Sequence, residues 1–137
     1  MCVKDLMVQG NIMSKKFVYD PENKTIFLKR SGRLMPGELS EGIQNLIKLS
    51  EFNEAQNLLS DFRDCDLSGI SNSEVRNHAE YCKDRLKHLN VVIISPSDLG
   101  FGLGRMFEIL SELGMVKVVK NLKEALEILK IDRIPEY

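Results

Sequence analysis

The stretch of sequence that decides the fold is Leu58-Leu59-Ser60-Asp61-Phe62-Arg63-Asp64, which is followed by Ser71-Asn72-Ser73-Glu74. The two leucines predict a short buried strand, and the charged residues come at its carboxyl end. In an open α/β sheet, ligands and partners usually bind outside that end of the strands. Ser71, with Glu74 three residues later, is a capping box that predicts the start of a helix. The stretch therefore predicts one strand-to-helix unit of an α/β fold.

The rest of the chain repeats this pattern. β-rich runs predict strands at residues 16–19, 25–28, 91–94 and 116–119, with a hairpin turn at residues 20–23 and a strand end at Gly32. Apolar residues at helical spacing predict four helices. Their stripes are Leu39, Ile43, Leu46 and Ile47; Val75, Ala79, Cys82 and Leu86; Leu103, Met106, Phe107 and Leu110; and Leu122, Ala125, Leu126 and Leu129. The predicted fold is α/β, ββαβαβαβα, a mostly parallel sheet with an antiparallel edge strand from the N-terminal hairpin and helices packed on it.

Length and composition narrow the class of protein. Residues 1–12 fit no element and are predicted to be a loose N-terminal extension, and residues 13–137 are predicted to be one domain. The net charge of −1 gives no reason to expect nucleic-acid binding. No apolar run is long enough for a membrane span, and the N-terminus has no signal-peptide pattern. The chain is therefore expected to be cytoplasmic.

The candidate chemical groups favour no enzyme, metal or cofactor. His78 and Cys82 are four residues apart on one helix side, but Cys82 continues an apolar stripe and is interpreted as buried core. Residues 64–69 imitate the start of a calcium loop, yet the twelfth position, which needs a bidentate carboxylate, is Val75. The three cysteines have no metal or redox spacing. We therefore expect a non-enzymatic protein without a cofactor.

Several motifs resemble one family of small bacterial proteins. They are Ser31-Gly32 after the hairpin, Leu59-Ser60-Asp61-Phe62-Arg63, Val91-Val92-Ile93-Ile94, Gly102-Leu103-Gly104-Arg105-Met106 and Glu124-Ala125-Leu126. Between about Phe17 and about Ile131 the chain resembles STAS-type proteins related to anti-anti-sigma factors. It most resembles the uncharacterised STAS-like branch, which is also similar to CRAL-TRIO lipid-binding domains. The resemblance implies the α/β fold and a protein that binds other proteins.

The phosphorylation motif of anti-anti-sigma factors is not intact. In those proteins the first Ser of an Asp-Ser-Ser-Gly motif is phosphorylated by a partner kinase. The nearest string here is Asp66-Leu67-Ser68-Gly69, so the acceptor position falls on Leu67, which has no hydroxyl group. Ser68 or Ser71 remains as an alternative acceptor, although Ser71 already caps a helix.

Two groups of residues are candidate ligand or partner contacts. Asp61, Arg63 and Asp64 follow the short strand, where a surface ion-pair group is the simplest interpretation. Residues 95–105 form a predicted glycine-rich loop that enters a helix, and the amides of such a helix start can hold an anion. The contact residues expected from these two groups and the neighbouring turn are Asp61, Arg63, Asp64, Ser68, Ser97, Phe101, Gly102 and Arg105.

Two functions follow from these observations. The first is a non-enzymatic regulatory or protein-interaction module of STAS-like type that binds a protein partner or itself, as a homodimer. The alternative is a carrier of a small molecule, a lipid or a nucleotide, that uses the loop at residues 100–104. An apolar pocket beneath Phe101 and Met106 would favour the carrier, whereas an unbroken core with an exposed apolar patch would favour the interaction module.

Overall fold

In the described residues the fold is built on one mixed sheet of six strands. The computed structural model describes residues 2–7 and 14–135 of the chain. The strands are β1 (Cys2–Met7), β2 (Ser14–Asp20), β3 (Thr25–Arg33), β4 (Asn57–Asp66), β5 (Asn90–Ile94) and β6 (Val116–Val119), and they lie side by side in chain order. β1, β2 and β3 pair antiparallel, whereas β3 to β6 pair parallel. The predicted α/β class, with a parallel sheet extended by an antiparallel N-terminal hairpin, is confirmed.

The N-terminus differs from the prediction of a loose extension. Residues 2–7 form β1, which pairs with β2 from Cys2 opposite Tyr19 to Met7 opposite Ser14. The edge of the sheet is therefore β1 and not the first strand of the hairpin. The sequence does not reveal this strand because an edge strand can be held by backbone hydrogen bonds alone, without an alternating apolar pattern. The other residues of the predicted extension lie outside the described part of the chain.

Four helices connect or follow the parallel strands, as predicted. They are α1 (Glu38–Ile47), α2 (Asn72–Lys83), α3 (Asp98–Leu110) and α4 (Leu122–Leu129). The predicted caps are present. Ser71 Oγ accepts a hydrogen bond from the Glu74 amide at 3.1 Å, and Asn121 Oδ1 accepts one from the Glu124 amide at 2.9 Å. Each bond satisfies an amide that the first turn of a helix leaves without a partner.

The helices are divided between the two faces of the sheet. Because β3 to β6 lie in chain order, right-handed crossovers place α1, α2 and α3 on the same face, which we call the first face. The larger core lies there and includes Phe17, Leu28, Leu46, Ala79 and Phe107. α4 packs on the second face, against the smaller core of Val18, Phe27, Leu59, Val92 and Ile94.

Three element boundaries differ from the prediction. β3 continues through Gly32, which adopts a φ of 90° beside a register shift between Lys29 and Ser31. β4 runs on to Asp66, so Asp61, Arg63 and Asp64 lie within the strand rather than after it. The glycines at 100, 102 and 104 lie in the first turns of α3 and not in a loop.

Candidate ligand-binding cavity

A cavity of about 70 Å³ lies between the first face of the sheet and helices α1, α2 and α3. Its wall is mostly apolar. The apolar side chains are Leu39, Ile43, Leu58, Phe62, Leu67, Ile70, Val75, Leu86, Val91, Ile93, Leu103 and Phe107. The polar side chains are Arg30, Ser60, His78, Cys82 and Ser95. Gly100 and Gly104 of α3 complete the wall, so the cavity lies beneath the helix that carries Phe101 and Met106.

Arg30 brings a guanidinium group into this apolar wall. It follows Leu28 by two residues and Ile26 by four, and alternate residues of a strand face the same side. Its side chain therefore lies on the first face, and only 1% of the residue is exposed. Nη1 donates a hydrogen bond to the carbonyl oxygen of Glu38 at 3.2 Å, whereas Nε has no partner among the described residues. A guanidinium group has five N–H donors, and most of those of Arg30 have no acceptor among the described residues.

The guanidinium group is held between α1 and β4. A Cβ atom placed on Gly42 of α1 would lie 2.7 Å from Arg30 Nη2 and 2.8 Å from Cζ. On the other side, the centre of the Phe62 ring lies 5.1 Å from Arg30 Cζ, close enough for a cation–π interaction. The lack of a side chain at Gly42 is therefore what makes room for the group.

The positive charge of Arg30 has no direct counter-ion in the described residues. Burial lowers the pKa of its guanidinium to about 10, although nearby Glu38 and Glu41 act in the opposite direction. The group therefore stays charged at neutral pH. Glu41 pairs with the neighbouring buried Lys15 at 3.3 Å. Glu38 Oε1 accepts a hydrogen bond from the Met35 amide at 2.6 Å, and its buried Oε2 has no hydrogen-bond partner among the described residues.

His78 and Cys82 also line the cavity, and both are neutral. Burial, reinforced by the charge of Arg30, lowers the pKa of His78 to about 3. Burial raises the pKa of the Cys82 thiol to about 12, and the opposing effect of Arg30 and Arg85 is smaller. Cys82 Sγ lies 3.6 Å from His78 Nε2. A thiol with so high a pKa is a poor nucleophile at neutral pH. The burial of Cys82 confirms its interpretation as a core residue.

Two hydroxyl groups complete the polar part of the wall. Ser60 lies on β4 and Ser95 directly follows β5, and both residues are buried on the first face. Neither side chain makes a hydrogen bond to another described residue. A hydroxyl group can both donate and accept hydrogen bonds, so both groups can serve a molecule in the cavity.

The predicted cluster of Asp61, Arg63 and Asp64 lies away from the cavity. Asp61 follows Leu59 by two residues and therefore lies on the second face of the sheet. The Arg63 guanidinium donates from Nε and Nη2 to the fully buried Asp61 carboxylate, at distances of 2.8–3.1 Å. Lys29 Nζ lies 3.5 Å from Asp61 and 2.7 Å from Asp64, and its bond to Asp64 lowers the pKa of that carboxyl. Lys29 bridges the two acids, so the cluster is an ion-pair group, but the Asp61 carboxylate is buried and not on the surface as predicted.

The other predicted contact residues are also outside the cavity wall. Ser97 caps α3, its Oγ accepting a hydrogen bond from the Gly100 amide. Phe101 is half-buried against the core, with Lys120 Nζ 5.1 Å from the centre of its ring. Gly102 is exposed, and Arg105 pairs with Glu108 on the surface. Ser68 lies in an exposed turn, where its amide donates to Asp66 Oδ1. None of the eight predicted residues lines the cavity.

The residues that do form the polar wall were not identified from the sequence as a site. The available signal was Arg30, a charged residue at a position where strand alternation places a core residue. Lys15 shows the same signal, since it precedes the buried Phe17 by two residues. Charged residues are almost never fully buried unless they are paired, so two of them on one core face mark a region of special chemistry.

Comparison with protein-family models and with curated proteins gives no match for this chain. The resemblance to STAS-like proteins therefore stays a prediction. Within residues 2–7 and 14–135, no helix has the length and hydrophobicity that crossing a bilayer requires. The described residues also contain no group of three or more His, Cys, Asp or Glu side chains placed to hold a metal ion.

Proposed function

We propose that this chain is a non-enzymatic binding domain that holds a small molecule in the cavity between the sheet and α1, α2 and α3. The observation that carries the proposal is the buried guanidinium group of Arg30, most of whose donors lack an acceptor among the described residues, in a mostly apolar wall. Burying an unpaired charge is costly, and buried charges are normally paired. A bound molecule that accepts hydrogen bonds from Arg30 offsets this cost. An apolar cavity with a few convergent polar groups is the usual form of a ligand site.

The volume of the cavity restricts the size of the ligand. Sites for drug-sized molecules occupy roughly 300–1,000 Å³. An engineered cavity of about 150 Å³ binds benzene, which has six heavy atoms. A cavity of about 70 Å³ therefore fits a molecule of only a few heavy atoms. This volume favours a small ligand over the lipid or nucleotide expected from the sequence.

The chemistry of the wall supports binding rather than catalysis. The Cys82 thiol is protonated at neutral pH and His78 is neutral and buried, so this pair lacks an activated nucleophile. The hydroxyl groups of Ser60 and Ser95 have no base within hydrogen-bond distance among the described residues. Nucleophilic catalysis by Ser requires such a base. The groups present can hold a ligand but are not arranged to activate one.

Native mass spectrometry of the gently purified full chain tests this function. We expect a stoichiometric adduct of low mass that is lost when the same sample is sprayed under denaturing conditions. Extraction and mass analysis of the released compound then identify it. Two results together would contradict the proposal. The native spectrum would show no adduct, and small molecules added in excess would not raise the melting temperature of the chain.

A second candidate function is self-association as a regulatory module of STAS-like type. It is favoured by the outer face of α3, where Leu99 is 50% exposed and Ile109 is 69% exposed. The spacing of Leu99, Gly102, Met106 and Ile109 places them on one side of the helix. An exposed apolar face of this kind can bind the same face of a second copy.

Light scattering coupled to size-exclusion chromatography tests the second candidate. Ile109→Glu is expected to convert a dimer to a folded monomer, because the changed side chain is exposed in the monomer. The matched control is Ile128→Glu on α4, an apolar residue with a 36% exposed surface that lies on the other face of the sheet. A wild-type chain that is monomeric at high concentration would exclude this function.

A further inference from the structure

We infer that the cavity binds a small monocarboxylate whose carboxylate group contacts Arg30 and whose short apolar part contacts the surrounding wall. This inference rests on the proposed function and names the class of ligand. The observation behind it is one buried guanidinium group beside a cavity whose other wall groups are uncharged: two hydroxyl groups, the neutral His78 and Cys82, and hydrocarbon. No carboxylate among the described residues forms an ion pair with Arg30.

The charge of the cavity wall selects an anion with a single negative charge. Arg30 is the one charged side chain among the described residues of the wall, since His78 and Cys82 are both neutral there. Glu41, which could have neutralised Arg30, is paired with Lys15. One fixed positive charge is matched by one negative charge. A phosphate dianion would bring a second charge for which this wall has no counter-ion.

The shape of the donor group selects a carboxylate. A guanidinium group presents N–H donors in a planar fork that matches the two oxygens of a carboxylate. Ser60 and Ser95 provide two further hydroxyl groups in the same wall. Apart from the neutral side chains of His78 and Cys82, the remaining wall is apolar and favours a hydrocarbon tail over a polar one. The available volume of about 70 Å³ is about half that of the cavity that holds benzene, so the ligand is expected to be one of the shortest carboxylates, with propionate as the upper limit of size.

Propionate and its neutral isostere propionamide test the inference. The full chain is titrated with each compound by calorimetry and by thermal denaturation, with sodium chloride holding the ionic strength constant. We expect saturable binding of propionate that is at least about thirtyfold tighter than that of propionamide, because a buried, unmatched charge penalises the neutral compound. We also expect octanoate to bind more weakly than propionate, since its tail exceeds the cavity.

Variants of Arg30 show whether the guanidinium group is the contact. Arg30→Met keeps the apolar bulk and is expected to weaken propionate at least about thirtyfold, with the melting temperature unchanged or raised. Arg30→Lys keeps the charge but loses the planar fork, and an intermediate affinity is expected. The matched control is Arg105→Met, which removes an exposed guanidinium group of α3 that pairs with Glu108 and should leave propionate binding at the wild-type level.

Glu38→Gln separates a bound ligand from an internal ion pair. If Arg30 pairs with Glu38 in solution, this change leaves the guanidinium group without its partner and should lower the melting temperature of the ligand-free chain. The inference expects instead that the melting temperature is kept and that propionate binds at least as tightly as to the wild type, since a nearby negative charge has been removed.

The inference and the proposed function fail in different ways. Equal binding of propionate and propionamide, or wild-type binding of propionate by Arg30→Met, would overturn the carboxylate inference. In either case the cavity would remain a binding site for small molecules. Absence of binding by both compounds, together with a native mass spectrum that shows no adduct, would overturn the inference and the proposed function together.

Discussion

The guanidinium group of Arg30 occupies the space next to Gly42 that a side chain at position 42 would need. A Cβ atom on Gly42 would lie 2.7 Å from Nη2, 2.8 Å from Cζ and 3.0 Å from Nη1 of Arg30. These distances are shorter than ordinary contacts between nonbonded atoms. The helix α1 therefore determines where the guanidinium group lies, although it makes only one hydrogen bond to it, from Nη1 to the Glu38 carbonyl oxygen.

Gly42→Ala is expected to abolish propionate binding while leaving stability almost unchanged. The added methyl group displaces the guanidinium group, and the adjacent cavity gives it space to move. The cost of this displacement opposes the gain of about 1 kcal/mol expected for Gly→Ala inside a helix. Calorimetric titration and urea denaturation of the variant measure the two effects.

The matched control for Gly42→Ala is Gly102→Ala in α3, where a Cβ atom would have no neighbour within 4 Å. This variant is expected to gain up to about 1 kcal/mol in stability and to bind propionate like the wild type. Wild-type affinity in Gly42→Ala would contradict the assigned position of the ligand.

Filling the cavity is expected to stabilise the ligand-free chain. Val75→Ile adds one methylene group from the cavity wall and should add up to about 0.8 kcal/mol to the free energy of unfolding. Val92→Ile adds the same group in the core of the second face, where overpacking should cost about 1–3 kcal/mol. Urea denaturation compares the two variants. An equal loss of stability in both would indicate that no usable space exists beside Val75.

His78 is expected to make stability fall in mild acid. Burial, with the charge of Arg30, holds the pKa of His78 near 3 in the folded chain, whereas the unfolded value is about 6.5. Between these two pH values the unfolded chain binds a proton that the folded chain does not bind. The contribution of His78 to the free energy of unfolding is therefore complete above pH 6.5 and is lost as the pH falls toward 3. The free energy of unfolding is expected to fall by about 1.4 kcal/mol for each pH unit in that range.

The variant His78→Gln isolates this contribution, because glutamine does not titrate. Ser40 Oγ lies 3.1 Å from His78 Nδ1, and glutamine keeps a polar group near that hydroxyl. Urea denaturation between pH 7 and pH 4 should give a shallower pH dependence for the variant than for the wild type. Parallel curves would show that His78 is already protonated in the folded chain or is exposed to solvent.

Removal of residues 1–12 is expected to lower stability, in contrast to the prediction of a loose extension. The deletion removes β1 and exposes the hydrogen-bonding edge of β2, which can then pair with other chains. A lower melting temperature and association that increases with concentration should follow, as measured by calorimetry and light scattering. A truncated chain that melts like the full chain and stays monomeric would restore the original prediction.

Cys82 is expected to react slowly with iodoacetamide in the folded chain. Its side chain is fully buried, and its raised pKa leaves little thiolate at neutral pH. Pulse labelling followed by peptide mapping measures the rate, and the same pulse in denaturant is the control in which Cys82 should react quickly. Fast labelling of the folded chain would support a chemical role for His78 and Cys82.

The order of strands and helices was predictable because each helix carries its own local signals. Ser71 and Asn121 cap the helices that their sequence positions predict, and the buried stripes, such as Val75, Ala79 and Cys82, follow helical spacing. The extent of β4 was not predictable from local sequence. Charged residues ordinarily end a buried strand, but Asp61 is neutralised by Arg63 on the same strand and by Lys29 on the neighbouring strand β3. The contact with Lys29 depends on strand register.

The candidate site was harder to predict than the fold. The charged cluster and the glycines that the sequence indicates as a site form a partly buried ion-pair group and the start of α3. The cavity instead depends on Arg30, Ser60 and Ser95, which come from different parts of the chain. Strand alternation indicates that Arg30 faces the core. Only the packed structure shows that Gly42 leaves space for it and that no carboxylate of the described residues forms an ion pair with it.

The most direct test of the account is the ¹⁵N NMR signal of the Arg30 Nε–H group, assigned by its absence in Arg30→Met. Because this group is buried, its proton should exchange slowly with water and its signal should be visible at neutral pH. We expect the signal to shift saturably during titration with propionate and to stay in place with propionamide. An Arg30 signal that is unchanged by propionate, at concentrations that raise the melting temperature, would contradict the central claim.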